Sequence, residues 1–341
     1  GSEMCIRDRY YIDQKEFEKA LGTAKDYRDQ HPDSAVPYIL IGRTQLALGQ
    51  EEDAVEAFTH ARKIAPGDPT ASHSLAALAI RMKKYQEARG YYQDVLEKYE
   101  NHLSTLLNLA VLDALEKKEE AMVERLQQAS ATHPKAVRPK VMLARYYLTK
   151  GNPERAYSLV NELDEVQKNS PAVLNVIAMS HLDRKEYAEA RISLEKLIAL
   201  QPNSANAHHL LAKAHAGLKD RERTKSELQK TIELAPNYQP ARIALARLFM
   251  LEANKEGVQE QLKALKALAP ENPDVLQIEA SMARLDANSN EALRLTEKAF
   301  EKSPSTSNML NLARQKREMG DSEGAQHLQE VYVKKHPEDL V

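Results

Sequence analysis

Three histidines, His208, His209 and His215, are the nearest thing in this sequence to a metal-binding set. A helix rises about 1.5 Å per residue, so His208 and His215 would stand about 10 Å apart, too far to share one ion. His215 also recurs with a period: His181 lies 34 residues earlier, and Tyr147 and Phe249 occupy the same register. That pattern reads as a half-buried histidine packed in an aromatic slot, with no metal and no cofactor. No nucleophile elbow, glycine-rich phosphate loop, paired-histidine zinc motif or calcium loop occurs, so no enzyme activity is expected. A second set is cationic. Arg43, Arg145, Lys213, Arg247 and Arg314 are separated by 34 residues or by near multiples of it. Cations at regular intervals can grip a row of carboxylates through charge-assisted hydrogen bonds. Two charge runs, Glu116-Lys117-Lys118-Glu119-Glu120 and Asp220-Arg221-Glu222-Arg223, read as solvated turns.

Composition narrows the classes further. The 341 residues are 42% hydrophobic and 29% charged, which excludes a disordered polymer. With Cys5 as the single cysteine, a disulfide framework and cysteine metal sites are excluded as well. The balance of 48 basic and 50 acidic residues argues against non-specific nucleic-acid binding, which wants a strongly basic domain. Tryptophan is absent and only 5% of residues are aromatic, poor material for stacking bases. No stretch approaches eighteen uncharged apolar residues, so no membrane span is expected. Residues 1–9, GSEMCIRDR, fit neither a signal peptide nor the repeat that follows, and resemble translated adapter sequence. They read as a non-native or irregular extension. On that reading Cys5 is not native, and any signal peptide or lipid-attachment cysteine is lost with the natural start.

The elements that must carry the cations are set by the repeat. Prolines stand at 32, 66, 134, 202, 236, 270 and 304, each gap being 34 or 68 residues. In rows of 34 with these prolines at position 32, position 8 holds Gly42, Ala76, Ala110, Ala144, Ala178, Ala212, Ala246 and Ala280. After a one-residue shift, Ala313 takes the same column and Pro337 closes the last row. Position 20 holds Ala20, Ala54, Ala88, Ala156, Ala190, Ala292 and Ala325, with Thr224 and Val258 as departures. Position 7 is Ile or Leu in every row from 35 to 337 except at Glu279. Apolar residues recur at three- and four-residue steps in two bursts per row, for example Tyr38, Ile41, Leu48 and then Ala54, Phe58, Ala61. These are two amphipathic helices, A and B. Gly49, Gly151 and Gly320 mark the turn between them, and the small columns mark where they cross. All fifteen prolines fall at row ends or in the first turn of a helix, where the missing N–H costs nothing. Row three lacks its closing proline at Tyr99-Glu100-Asn101, and row five has Lys168 there.

A small residue at 8, alanine at 20 and proline at 32 of a 34-residue helix–turn–helix resemble the tetratricopeptide repeat. The resemblance covers residues 10–341 as rows 10–34, 35–68, 69–102, 103–136, 137–170, 171–204, 205–238, 239–272, 273–305 and 306–341. It implies an all-α, right-handed α-solenoid of about ten stacked repeats forming a single domain. It also implies that row positions 2, 5, 9 and 12 of helix A line a concave groove. Position 9 reads Arg43, Ala77, Val111, Arg145, Met179, Lys213, Arg247, Ser281, Arg314: five of nine are basic and none acidic, where average usage gives about one. Neighbouring groove positions add His73, Arg138, Asn175, Asn206 and His209. One reading is a groove for an extended, acidic peptide or protein segment. The other is that these cations pair with acids of adjacent repeats, Asp183 with Lys213 for instance. The carboxylate clamp of chaperone-binding members is not assembled, since only Asn108, Asn311 and Arg138 match it.

A narrower resemblance rests on Leu197, on Gln201-Pro202-Asn203-Ser204-Ala205-Asn206-Ala207-His208-His209-Leu210-Leu211-Ala212 and on Ala269-Pro270-Glu271-Asn272-Pro273. These resemble the PEP-CTERM system tetratricopeptide lipoproteins of Gram-negative bacteria, a family tied to protein sorting and exopolysaccharide export. It implies a non-catalytic interaction scaffold in the periplasm or anchored to the outer membrane; without it the cytoplasm is the default. The alternatives are a recognition arm of a larger enzyme, such as a glycosyltransferase, and a helical-repeat binder of single-stranded RNA. The RNA reading is the weakest, because such repeats use other groove residues and a more basic chain. Because Leu328, Val331 and Tyr332 have no following cap helix, the natural chain is expected to continue past Val341.

Overall fold

The computed structural model describes residue 14 and residues 16–337. The expected extension at 1–9, with Cys5, and the chain end at 338–341 lie outside the described residues. Twenty helices and no strand occur among the described residues. They are α1 (Phe17–Gln30), α2 (Ala35–Ala47), α3 (Glu51–Ile64), α4 (Pro69–Arg81), α5 (Tyr85–Lys98), α6 (Leu103–Leu115), α7 (Glu119–Thr132) and α8 (Val137–Thr149). Next come α9 (Pro153–Asn161), α10 (Glu165–Lys168), α11 (Pro171–Asp183), α12 (Tyr187–Leu200), α13 (Ala205–Gly217) and α14 (Arg221–Leu234). The last six are α15 (Gln239–Leu251), α16 (Lys255–Leu268), α17 (Pro273–Leu285), α18 (Ser289–Lys302), α19 (Thr306–Glu318) and α20 (Ser322–Lys335).

The repeat is regular to the residue. Every A helix from α2 to α19 is 13 residues long. Every B helix is 14 residues long except in row five. There the missing proline goes with a broken element, α9 of nine residues followed by α10 of four. A capping box re-nucleates α10: the Gln167 N–H donates to Asp164 Oδ1 at 2.8 Å, and the Asp164 N–H donates back to Gln167 Oε1 at 3.4 Å. The chain forms two compact units that divide within this row. Unit 1 runs to Lys150 and takes Ser158–Leu163; unit 2 has Gly151–Tyr157 and the chain from Asp164.

Each unit is an α-solenoid of helix–turn–helix repeats, and its core follows the columns of the sequence. Position 8 is buried in every row from Gly42 to Ala313, and every position 20 alanine is fully buried. At Gly42 the A–B crossing is so close that an added Cβ would sit 2.8 Å from the Phe58 ring. In unit 1, Ala76, Ala88, Tyr92, Leu109 and Leu112 form one cluster, and Ala54, Phe58, Leu75 and Leu78 another. In unit 2 the largest cluster runs from Ala212 and Leu228 through Ile243, Phe249 and Leu265 to Met282. Tyr332, expected to carry an open flank, is 4% exposed, covered by Phe300 and stacked on His336.

The A–B turns share a feature that glycine alone did not reveal. Gly49, Gly151 and Gly320 adopt positive φ as expected, and so do Lys83, Lys117, Lys185, Lys219, Ala253 and Ala287 at the same row position. The left-handed residue lets the next N–H reach back to the fifth residue before it, as Asp220 N does to the His215 carbonyl at 2.9 Å. Satisfying the helix-end carbonyl thus outweighs a steric cost of about 1–2 kcal/mol for a residue with a Cβ.

Candidate functional site

In unit 2, position 5 of α13 carries His209 and position 9 of α13 and α15 carries Lys213 and Arg247. These three side chains line one cleft of about 400 Å³. Its floor is aliphatic, formed by Ala212, Ala216, Leu228, Pro240, Ile243 and Ala244. Arg247 Nη2 donates to Asp274 Oδ1 at 2.6 Å across the rim, both groups being about half exposed. Lys213 is exposed and has no ion-pair partner among the described residues; Asp183 does not reach it, so the pairing considered from sequence is not formed. His209 is 6% exposed, its ring centroid lies 5.1 Å from that of Tyr238, and its buried Nδ1 has no hydrogen-bond partner. Burial, and then Lys213 one turn along, lowers its pKa to about 4, so the ring is neutral at pH 7.

In unit 1 a cleft of about 460 Å³ uses the same register. It is lined by Arg43 and His73, with Thr70, Ser74, Ala77, Leu78, Arg81, His102 and Ser104. Arg81 pairs with Glu51, whereas Arg43 has no ion-pair partner among the described residues. His73 Nε2 and His102 Nδ1 each lie 2.7 Å from the buried Thr105 hydroxyl. That hydroxyl has one proton, so at least one of the two rings must donate to it. The pKa of His73 is lowered by burial and by His102, with Asp68 opposing.

The remaining candidates do not join these two clefts. Arg138 and Arg145 are exposed on α8 of unit 1, Arg145 without an ion-pair partner among the described residues. Asn175 is half-buried, and Asn206 Oδ1 accepts a hydrogen bond from Tyr238 at 3.3 Å. Arg314 is held on its own helix by Asn311 at 3.3 Å and Glu318 at 4.0 Å. The three neighbouring histidines part company: His208 Nδ1 meets Glu227 at 2.6 Å, His209 faces its cleft, and His215 packs in the core at 4% exposure.

Sequence reading missed an ionic cluster in unit 1. Asp113, fully buried in the column of His181, His215 and Phe249, accepts from Arg89 at 2.7 Å and Arg125 at 2.6 Å. Arg89 also pairs with Glu116, whose pKa that hydrogen bond lowers, and Glu116 is only 11% exposed. The first residue of the run 116–120 is therefore part of a buried network, a correction to its reading as a solvated turn. The available signal was a carboxylate standing where Ala79, Tyr147, His181, His215, Phe249 and Ala283 are apolar or aromatic in other rows.

Comparison with known proteins agrees with this architecture. Family models match over parts of the chain: the tetratricopeptide repeat over residues 11–79, the coatomer epsilon subunit over 51–142, and subunit 3 of the anaphase-promoting complex, cyclosome, over 113–197. Among solved structures, a tetratricopeptide repeat protein from Parabacteroides merdae is similar with TM-score 0.54 and 16% identity, over 72% of this chain and 96% of that one. PilW, a type IV pilus biogenesis factor, is similar with TM-score 0.54 and 14% identity, over 60% of this chain and 94% of that one. The Cut9–Hcn1 hetero-tetramer of the APC/C gives TM-score 0.52 and 12% identity, over 97% of this chain and 86% of that one. No curated protein matches the sequence. At these identities the structural likeness speaks to the fold. With the repeat model it supports the tetratricopeptide repeat family.

Proposed function

We propose that this tetratricopeptide-repeat chain is a non-catalytic scaffold whose helix-A faces hold acidic, extended peptide segments. The observation that carries the reading is Arg43, Arg145 and Lys213: three cations at one register position, all exposed, none with an ion-pair partner among the described residues. Other cations pair across adjacent repeats, as in Arg62–Asp94, Lys225–Glu252 and Lys255–Asp286. Three unmatched cations of one column, two of them lining part-apolar clefts, suit a ligand that brings carboxylates and buries aliphatic surface. The motifs around Gln201–Ala212 and Ala269–Pro273 support placing that task in a bacterial envelope system for protein sorting or exopolysaccharide export.

The test is fluorescence anisotropy of a labelled glutamate-rich nonapeptide on the wild-type chain and on the triple variant Arg145→Glu, Lys213→Glu, Arg247→Glu. The variant is expected to bind at least about tenfold more weakly at about 0.15 M salt, with unchanged helicity by circular dichroism. Equal affinity of the two proteins, or stronger binding of a lysine-rich peptide or of oligo-RNA to the wild type, sinks the reading.

A further inference from the structure

We infer that the unit 2 cleft between α13 and α15 is a specificity pocket for an aliphatic side chain carried close to an acidic residue, which deepens and rests on the acidic-peptide reading. The walls argue for the side chain. Ala212, Ala216, Leu228, Pro240, Ile243 and Ala244 offer a concave aliphatic surface, and about 400 Å³ is the small end of the range for ligand pockets. His209 extends that wall, because a neutral imidazole sealed at its Nδ1 and set against Tyr238 presents a weakly polar face.

The rim argues for the neighbouring carboxylate. Lys213 stands at the mouth with no ion-pair partner among the described residues, while Arg247 is already neutralised by Asp274. The one unmatched charge at this mouth is therefore positive, and a single carboxylate complements it. With Arg247 and Asp274 paired to each other, a single unmatched cation is left at the mouth, too little to hold a string of phosphates. Gln239, also in the lining, has an amide that can donate to and accept from an extended backbone. Asn272 does not compete for that role, since its Oδ1 already caps α17 through the Asp274 N–H at 2.9 Å. The occupant that meets all of these constraints is a peptide segment with a Leu, Ile, Val or Met one or two residues from an Asp or Glu.

The experiment uses the full chain with ¹³C-methyl-labelled isoleucine and three nonapeptides in a Gly-Ser background, containing Leu-Gly-Asp, Ala-Gly-Asp or Leu-Gly-Asn. The first peptide is expected to move the Ile243 methyl signals and to bind at least about tenfold more tightly than either of the others. Ala216→Phe fills the cleft from an exposed position and leaves the charges in place. It should abolish the preference for Leu over Ala while keeping the preference for Asp over Asn, and Lys213→Gln should do the reverse. If Leu and Ala peptides bind alike, or acidic peptides bind with the Ile243 signals unmoved, the pocket assignment is overturned and the acidic-groove reading stands. Equal binding of the Asp and Asn peptides overturns both.

Discussion

Two histidines at the same row position, one in each unit, stand on one frame and are surrounded differently. In unit 1 the histidine at position 5 is His73, the ring at the row end is His102, and position 3 of the next row is Thr105. In unit 2 the same three places hold His209, Tyr238 and Ala241. The ring-to-ring spacing is nearly the same, 5.7 Å for His73–His102 and 5.1 Å for His209–Tyr238. The hydroxyl is what differs. With Thr105 between them, both unit 1 rings are hydrogen-bonded, and the cleft is lined by Ser, Thr and His groups. With Ala241 in that place no hydroxyl joins the two rings; His209 packs beside Tyr238, and its buried Nδ1, a different nitrogen from the one Thr105 meets on His73, has no partner. The repeat fixes where a side chain stands; the neighbours it meets across rows decide which hydrogen bonds it makes. The units differ in the same way at position 11, where Asp113 anchors an ionic cluster in unit 1 and His215 and Phe249 pack in unit 2.

Three measurements probe this contrast. The largest effect is expected at Asp113. Asp113→Ala removes the shared acceptor of Arg89 and Arg125, and should cost unit 1 about 3–4 kcal/mol. Glu116 still holds Arg89, so the figure sits at the lower end for breaking a buried pair. Denaturant unfolding of wild type and variant gives the value, and a loss under about 1 kcal/mol would mean that the cluster is structurally idle.

Next is the acid response of unit 2. The folded pKa of His209 lies below its ordinary value, 6.5 falling to about 4. The unfolded chain therefore takes up a proton first as pH drops, and stability is full above about 6.5 and lost between there and about 4. The decline is about 2–3 kcal/mol. His209→Leu should remove it and leave unit 2 at least as stable at pH 7, since no hydrogen bond is broken. His73 works in the same direction. Hydrogen exchange of the α13 amides against pH follows the decline, and an unchanged slope in His209→Leu would contradict it.

The smallest effect belongs to Thr105→Val, which makes the unit 1 cage resemble that of unit 2. Two buried contacts are lost in exchange for an apolar group, a cost of about 1–2 kcal/mol. The same readout on unit 1 checks it. A neutral result would show that the hydroxyl bridge between the histidines is dispensable.

Much of this fold was legible in the order of residues. Columns 7, 8, 20 and 32 are local properties of an amphipathic hairpin, and they located the helices, crossings and row ends. The break in row five was not among them: row three lacks its closing proline too and keeps a whole B helix. Less could be seen where the outcome depended on geometry between rows. Arg247 found Asp274 on the next A helix, whereas Asp183 and Lys213, equally plausible as a pair, did not meet. The turn residues Lys83, Lys117, Ala253 and Ala287 gave no sign of positive φ, because that conformation is imposed by the helix-end carbonyl and not by the residue's own preference. Of the ten groove candidates, Arg43 and His73 share one cleft and His209, Lys213 and Arg247 another, while the others stand apart from both.

The period, the two helices of each row, the small residues at their crossing and the cationic column on helix A were all written in the chain. They follow from linear spacing, where 3.6 residues per turn fixes which side chains share a face. Which cations are neutralised, which histidine has a partner and where a carboxylate could be buried were settled only once the rows packed together. Those outcomes turn on distances of a few ångströms between side chains brought together from separate helices, and on the burial that makes an unmet hydrogen bond or charge costly.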